Sequence, residues 1–249
     1  MSGAESDAAL AARLAGEAGR LLLALRERGE FSGKALGAEG DRQANALLLD
    51  ALATARPDDA VLSEESADDG ARLARQRVWI IDPLDGTREY GEGRSDWAVH
   101  VGLAVDGVAQ TGAVALPGLD GLVLASDPVT PLPPPHDGPP RMLVSRTRPA
   151  AEAVAVAERL GAELVPMGSA GAKAMAVVRG EADIYLHSGG QYEWDNCAPV
   201  AVAAAHGLHC SRIDGSPLIY NQRDVSLPDL LICRAEFADE VLALVRELG

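Results

Sequence analysis

The sequence is short of positive charge, aromatic residues, cysteines and long apolar runs, and each shortage removes a class of function. Its 22 lysines and arginines are outnumbered by 37 aspartates and glutamates, a formal net charge of −15. Nucleic-acid backbones and anionic membranes attract basic surfaces, so neither is expected as a partner. An acidic protein still binds a phosphate ester when divalent cations stand between its carboxylates and the ligand. Aromatics make up only 4% of the chain, so alanine, valine and leucine must fill the core. Cys197, Cys210 and Cys233 are an odd, widely spaced set without a CxxC pair, which points to buried free thiols in a reducing compartment. Leu21-Leu22-Leu23, among Arg20, Arg26 and Glu27, falls far short of a membrane span. The acidic stretch Met1–Asp7 has neither the basic nor the apolar part of a secretion signal. A soluble, cytoplasmic protein is expected.

Periodicity supplies the first positive information. Leu10, Leu14, Leu21 and Leu25 share one face of a helix predicted from Ser6 to about Arg28, with Gly29 as its stop. A second helix is predicted from about Asp41 to Arg56, then a short strand at 60–62 and a buried strand at 78–81. Strands at about 97–105 and 108–116 flank Asp106-Gly107, a strong two-residue hairpin signal, and 121–126 continues the meander. The proline-rich run from Asp127 to Pro140 reads as a linker. It divides the chain into an N-terminal α+β portion, 1–138, and a C-terminal α/β portion, 139–249, expected to form one compact unit. In the second portion strands are predicted at 141–145, 182–186 and 230–233, and helices at 150–160, 169–179, 196–206 and 236–248.

The chemistry concentrates where an apolar strand runs into Asp82-Pro83-Leu84-Asp85-Gly86-Thr87. On a regular strand, residues three apart face opposite ways. Pro83 and Gly86 let the chain turn so that both carboxylates aim at one point, with the Leu84 carbonyl and the Gly86 and Thr87 amides freed. Hard cations such as Mg²⁺ take such oxygen donors. The same six residues also suit a plain strand-to-loop turn, in which Asp and Gly are common. Two distant segments bear on the choice. Ser63-Glu64-Glu65-Ser66 places acids after a short strand, and Trp194-Asp195-Asn196-Cys197-Ala198-Pro199 opens a helix where Asp195 also suits an N-cap. Three or more acids at one point repel one another and raise their own pKa values unless a cation is bound. Covalent routes are weaker: the chain has no DxDxT and no GxSxG, and Ser169 to Lys173 is one residue too long for SxxK.

The strand-borne DPLDGT, the upstream Glu-Glu and the downstream WDxxAP together resemble the inositol monophosphatase-like family of metal-dependent, lithium-sensitive phosphatases, across essentially the whole chain. The resemblance implies a layered α+β, α/β fold, an alternating αβαβα sandwich of the sugar-phosphatase type. It implies that Glu64, Asp82, the Leu84 carbonyl, Asp85 and Asp195 hold two or three Mg²⁺ ions, and that Thr87 with Glu64 orients the attacking water. Asp41 matches a further catalytic acid at the start of the second helix; its lead-in, Ala38-Glu39-Gly40, departs from the family's threonine-rich one, and a plain N-cap also fits. Arg88-Glu89-Tyr90 after DGT, Gly168-Ser169 with Lys173, the run from Gly189 to Asp195, and Gly215-Ser216-Pro217-Leu218-Ile219-Tyr220-Asn221 resemble the bisphosphate-nucleotidase branch more than its inositol phosphatases. The partner implied is a small phosphate ester, an adenosine bisphosphate first and inositol or fructose phosphates next. Asp85, Gly86, Thr87, Ser145, Arg146, Gly168, Ser169, Lys173, Gln191, Tyr192 and Asp195 are the candidate substrate contacts, with Arg148 a further candidate for a second phosphate. The histidines at 100, 187, 206 and 209 form no ligand pattern and read as structural or surface residues. A homodimer is compatible with these features, and the sequence leaves the oligomeric state open.

Overall fold

The computed structural model describes residues 5–248, so the reading of the first residues as free of a secretion signal falls largely outside them. Helix α1 (Asp7–Arg28) begins where Ser6 Oγ accepts from Ala9 N at 3.2 Å and ends at Gly29, whose φ of 68° only glycine adopts without strain. Its buried face runs through Leu10, Leu14, Leu22 and Leu25, so Leu22 takes the fully buried place expected of Leu21. Helix α2 (Gly33–Ala55) starts eight residues before the expected Asp41. Gly33, Gly37 and Gly40 weaken its helical signal, yet two of them lie where neighbouring side chains crowd in, Gly37 most of all. A Cβ on Gly37 would stand 2.5 Å from Thr87 Cγ2, and one on Gly40 would stand 3.1 Å from Leu84 and the Tyr90 ring. Asp41 is therefore not an N-cap. It is a buried residue in the interior of α2.

Strands β1 (Ala60–Ser63) and β2 (Arg77–Asp85) pair in parallel, joined by a crossover containing a 3₁₀ turn at Ala71–Ala74. A one-turn helix α3 (Thr87–Gly91), too short to show periodicity, follows β2. Strands β3 (Ala98–Val105), β4 (Val108–Leu116) and β5 (Leu122–Ala125) complete an antiparallel extension in the order β1-β2-β3-β4-β5. The Asp106-Gly107 turn has both φ values positive, 51° and 80°, as a tight hairpin requires.

Beyond the proline-rich connection come β6 (Arg141–Ser145), α4 (Ala151–Leu160), β7 (Glu163–Met167) and α5 (Ala170–Val178). They are followed by β8 (Ile184–Ser188), α6 (Glu193–Ala205), β9 (His209–Ser211), β10 (Asp229–Cys233) and α7 (Ala235–Leu248). The second sheet has the order β7-β6-β8-β10-β9, with β6 parallel to both β7 and β8 and β10 antiparallel to its neighbours. Strands β7 and β9 had no clear sequence signal: β7 is short and half exposed, and β9 has three residues.

The apolar clusters define five layers. Helices α1 and α2 cover one face of the first sheet. Helices α5 and α6 lie between the sheets and pack on both. Helices α4 and α7 cover the outer face of the second sheet. This is the αβαβα sandwich expected from the sequence. Helix α6 approaches β3 and β4 so closely that a Cβ on Gly102 or Gly112 would lie 2.8 Å from the Ala198 backbone. That approach brings the first turn of α6 beside the end of β2. Among the described residues no helix is long and apolar enough to cross a membrane.

Candidate active site

The centre of the site is made by an irregularity in β2. Asp82 pairs with His100 and Asp85 with Ala98, so three steps along β2 match two along β3. One extra residue is a β-bulge, which turns the strand and re-aims its side chains. The sequence suggested that Pro83 and Gly86 end the strand. Instead the strand runs on through Asp85, and Gly86 (φ 87°) makes the break.

The bulge brings Asp82 and Asp85 onto one point together with Asp195 from α6, and one carboxylate oxygen from each lies within 4.8 Å of the others. Asp82 is buried and its Oδ1 accepts from Leu84 N at 3.0 Å. Burial first, then Glu64, Asp85 and Asp195, push its carboxyl well above the usual range. Asp195 is not the N-cap that its position suggested. It sits in the first turn of α6, and its Oδ2 accepts from Tyr192 N, at the N-cap, at 2.6 Å. Burial, followed by Asp85 and Glu64, raises its pKa to about 7.

Asp85 is held differently. Burial pushes it up, but His100 and the hydrogen bonds from Ser169 and Gly171 outweigh that and hold it at about 2. Its Oδ2 accepts from Ser169 Oγ and, at 2.6 Å, from Gly171 N, while Oδ1 accepts from Ala170 N at 3.1 Å. The first turn of α5 thus clasps a carboxylate from the other sheet, with the favourable end of the helix dipole toward it. Ser169 caps α5 through Ala172 N and carries an unusual φ of 47°.

Three further predicted residues surround the trio. Glu64 as a residue is exposed, but its carboxyl end is turned toward Asp82, and desolvation with Asp85 and Glu65 raises its pKa. Thr87 opens α3 and donates from Oγ1 to the Leu84 carbonyl at 3.1 Å, so that carbonyl is shared with Thr87. Asp41 faces Thr87 from α2, and burial, Glu65 and Glu64 raise it to about 7. Asp41 and Thr87 line a cleft of about 660 Å³ between α2 and α3.

A larger cavity of about 700 Å³ opens from Asp85 and Asp195 toward the second sheet. Gly86, Ser145, Arg146, Gly168, Ser169, Lys173 and Gln191 all line it, as does Arg148. Lys173 does not reach into water as helical lysines usually do. It is buried, its Nζ donates to the carbonyls of Gly168 (3.1 Å) and Ser169 (2.5 Å), and it stands 5.3 Å from the centre of the Tyr185 ring. Burial lowers its pKa. Arg146 donates from Nη2 to Glu89 at 2.8 Å and Glu92 at 3.1 Å, so Glu89 of the Arg88-Glu89 pair fastens a wall of the cavity. The Gln191 amide is fixed at both ends, donating to Tyr185 Oη at 2.8 Å and accepting from Asn196 at 3.3 Å. Tyr192 departs from expectation. It is 44% exposed, stacks on Trp194 at 5.0 Å and lies outside the cavity lining.

Two histidines read as structural belong here. His100 is fully buried between Asp85 Oδ2, in a 3.2 Å ion-pair contact, and the Trp194 carbonyl, which accepts from Nδ1 at 3.0 Å. Its packing requires glycine at 171, where a Cβ would stand 2.0 Å from Nε2. The signal was a lone ring nitrogen donor in the apolar strand Ala98–Val105. His187 lines the cavity near Lys173, and burial and that ammonium lower its pKa to about 4. Nothing in its sequence context distinguishes it.

The donor set is all oxygen, is concentrated, and contains acids whose raised pKa values a cation would relieve. It fits a hard divalent cation such as Mg²⁺. The cavity pairs that acidic end with basic side chains on the opposite walls.

Comparison with known proteins gives the family and the fold. The model of the inositol monophosphatase family matches residues 6–128 and 142–248. A 3′-phosphoadenosine 5′-phosphate phosphatase of Mycobacterium leprae is 52% identical, over 98% of this chain and 94% of its own. A 3′(2′),5′-bisphosphate nucleotidase CysQ of Shigella flexneri is 32% identical, over 74% of this chain and 79% of its own. Among solved structures, an inositol monophosphatase from Anabaena superposes with a TM-score of 0.79 at 21% identity, covering 96% of this chain and 95% of the other.

Proposed function

From the premise that the chain belongs to the inositol monophosphatase family, we propose that it removes the 3′-phosphate of 3′-phosphoadenosine 5′-phosphate, giving AMP and inorganic phosphate. The observation that carries this reading is the polarity of the cavity: clustered carboxylates at one end, and Arg146, Arg148 and buried Lys173 on the other walls. A substrate with two phosphates needs both. The reacting phosphate belongs at Asp82, Asp85 and Asp195, and the retained one at the basic walls, where charge-assisted hydrogen bonds are strongest. The names of the 52% and 32% identical relatives support the same substrate class.

Family membership brings metal dependence, and Mg²⁺, as two or three ions, is the cofactor proposed for Glu64, Asp82, Asp85, Asp195 and the Leu84 carbonyl. When bound, the cations neutralise charge between carboxylates and ester and supply Lewis acidity. The protein's own groups do the positioning. Thr87 spends its proton on the Leu84 carbonyl, which leaves its lone pairs to accept from an attacking water. Glu64 and Asp41, on either side, are the acceptors that orient that water in line with the phosphorus. The first turn of α5 keeps Asp85 ionised and fixed, so that it need not reorganise during reaction. Gln191 is pre-oriented for a polar edge of the nucleoside. The portions 1–138 and 139–249 act as one catalytic unit in this reading, because Asp195 and Lys173 come from the second and the other acids from the first.

Phosphate release measured across 3′-phosphoadenosine 5′-phosphate, inositol 1-phosphate and fructose 1,6-bisphosphate tests the assignment. The adenosine bisphosphate should have the highest kcat/KM. A preference of more than about tenfold for either sugar phosphate, beyond what one misplaced contact accounts for, would overturn it.

A further inference from the structure

The segment Gly215–Asn221 has no place in the chemistry described above, and its last residue is the hub of a buried polar link between the two halves. Asn221 N donates to Glu193 Oε2 at 2.7 Å, and Gln222 N donates to Glu193 Oε1 at 2.7 Å. Glu193 is the first residue of α6 and is 1% exposed. The Asn221 side chain turns the other way, to the crossover that follows Glu64. Its Oδ1 accepts from Arg72 Nη1 at 2.8 Å, and its Nδ2 donates to the carbonyls of Arg72 (3.2 Å) and Arg75 (3.3 Å). Arg72 is itself buried, and its remaining fork is taken by the Gln222 carbonyl and Asp68. Asn221 has a φ of 58°, a conformation asparagine tolerates better than most residues.

The crossover is tied at its other end as well. Asn45 in α2 accepts from Ser63 Oγ at 2.7 Å and donates to Ser66 Oγ at 3.1 Å. The stretch carrying Glu64 is therefore stretched between two anchors, one on α2 and one on the first turn of α6, two residues from Asp195. Apart from the exposed bond to the Arg75 carbonyl, these bonds are partly buried, where a missing partner costs more than in water. Glu64 is tied to β2 by the pairing of Ser63 with Ile81 and by its own N–H donating to Ile81 O at 3.4 Å, and α6 packs on β2; the Asn221 link adds the direct tie between the crossover and the first turn of α6.

We propose that Asn221 is a positioning residue, which with Arg72 and Glu193 holds the Glu64 crossover in register with the Asp195 helix and so sets the cation affinity of the site. The inference rests on the metal site of the proposed function, and its test separates the two. Binding of Mn²⁺ and of Mg²⁺ alone is titrated by calorimetry, without substrate, for the parent and for Asn221→Gly, Arg72→Lys and the double variant. Gly keeps the backbone conformation while removing the amide, and Lys keeps the charge while removing the fork. Second-sphere changes at metal sites typically weaken binding about 10- to 100-fold. Each single variant should bind cations at least about tenfold more weakly, with an unchanged far-ultraviolet circular dichroism spectrum, and the double variant should be little worse, because both cut one link. Cation affinity within about twofold of the parent overturns the inference, even where the melting temperature falls. A parent that binds neither cation overturns the metal reading itself. Arg72→Lys, the milder change, decides the matter if Asn221→Gly does not fold.

Discussion

At the acidic end of the cavity the functional groups hang from backbone register. Asp82 and Asp85 are set by a one-residue bulge between β2 and β3, and Asp85 is gripped by three donors from the first turn of α5. At the basic walls the groups are long side chains held by other side chains or by carbonyls: Arg146 by Glu89 and Glu92, Lys173 by Gly168 and Ser169. The first arrangement tolerates little change, because moving one residue moves a strand. The second can be altered one contact at a time. The difference matches the two tasks proposed for them: chemistry needs fixed geometry, whereas recognition of a retained phosphate needs charge and reach.

Substitutions at the two ends should therefore differ in size and in kind. Asp82→Asn should remove activity by at least about a thousandfold at any substrate concentration, since it takes a charge from the point where catalytic electrostatics act; turnover that survives both this change and EDTA would end the comparison. Lys173→Ala should act on recognition. The expected loss is about 10- to 100-fold in kcat/KM for the adenosine bisphosphate, as for a charge-assisted contact worth roughly 1.5–3 kcal/mol. It should be much smaller for a substrate with one phosphate, and equal losses on both would place Lys173 in the framework instead.

Gly171→Ala probes how rigid the acidic end is. A Cβ 2.0 Å from His100 Nε2 cannot be accommodated in place, and overpacking of this sort costs about 1–3 kcal/mol. Thermal unfolding should fall by several degrees, and an unchanged melting temperature would show that His100 moves freely. A smaller effect follows from protons. Folding raises the Asp41 and Asp195 carboxyls to about 7, so between about pH 4 and pH 7 the folded chain binds more protons than the unfolded one. Stability from these groups is complete below their unfolded pKa and is lost as pH rises through 7. Asp85, held at about 2, acts in the opposite sense only below about pH 4, and His187, lowered to about 4, opposes the two carboxyls between about pH 4 and 6.5 without outweighing them, one group against two. Cation-free protein should accordingly melt higher at pH 5 than at pH 7.5, and Mg²⁺ should close that gap; a gap unaffected by Mg²⁺ would detach the acids from the cation. Tyr192→Ala should change kcat/KM by less than about twofold, since the ring lies on the surface outside the cavity.

Much of this was legible before any coordinates. The apolar spacing of α1, the Asp106-Gly107 hairpin and the proline-rich connection are local signals, and each appears in the fold near its expected place. The convergence of Asp82, Asp85 and Asp195 was legible because each stands in a motif whose residue type and place in the chain mark it out. Asp41 was misplaced relative to its helix because Gly33, Gly37 and Gly40 suppress the local helical signal, while Gly37 and Gly40 pack closely on Thr87, Leu84 and Tyr90. Lys173 and Tyr192 were read alike, yet one is buried against Tyr185 and the other faces solvent.

The sequence by itself determined which groups were available: two aspartates three apart at the end of an apolar strand, further acids upstream and downstream, and the motifs that mark the family. Taken alone the six residues also suited a plain turn, so the local pattern left their use open. Tertiary structure alone decided which groups meet. His100 reaches Asp85 because β3 lies beside β2, Arg146 is fastened by a glutamate 57 residues away, and Asn221 links the Glu64 crossover to α6 across the two halves. Such pairings depend on how layers pack, and packing is settled by the summed burial of many small side chains rather than by any segment's own pattern.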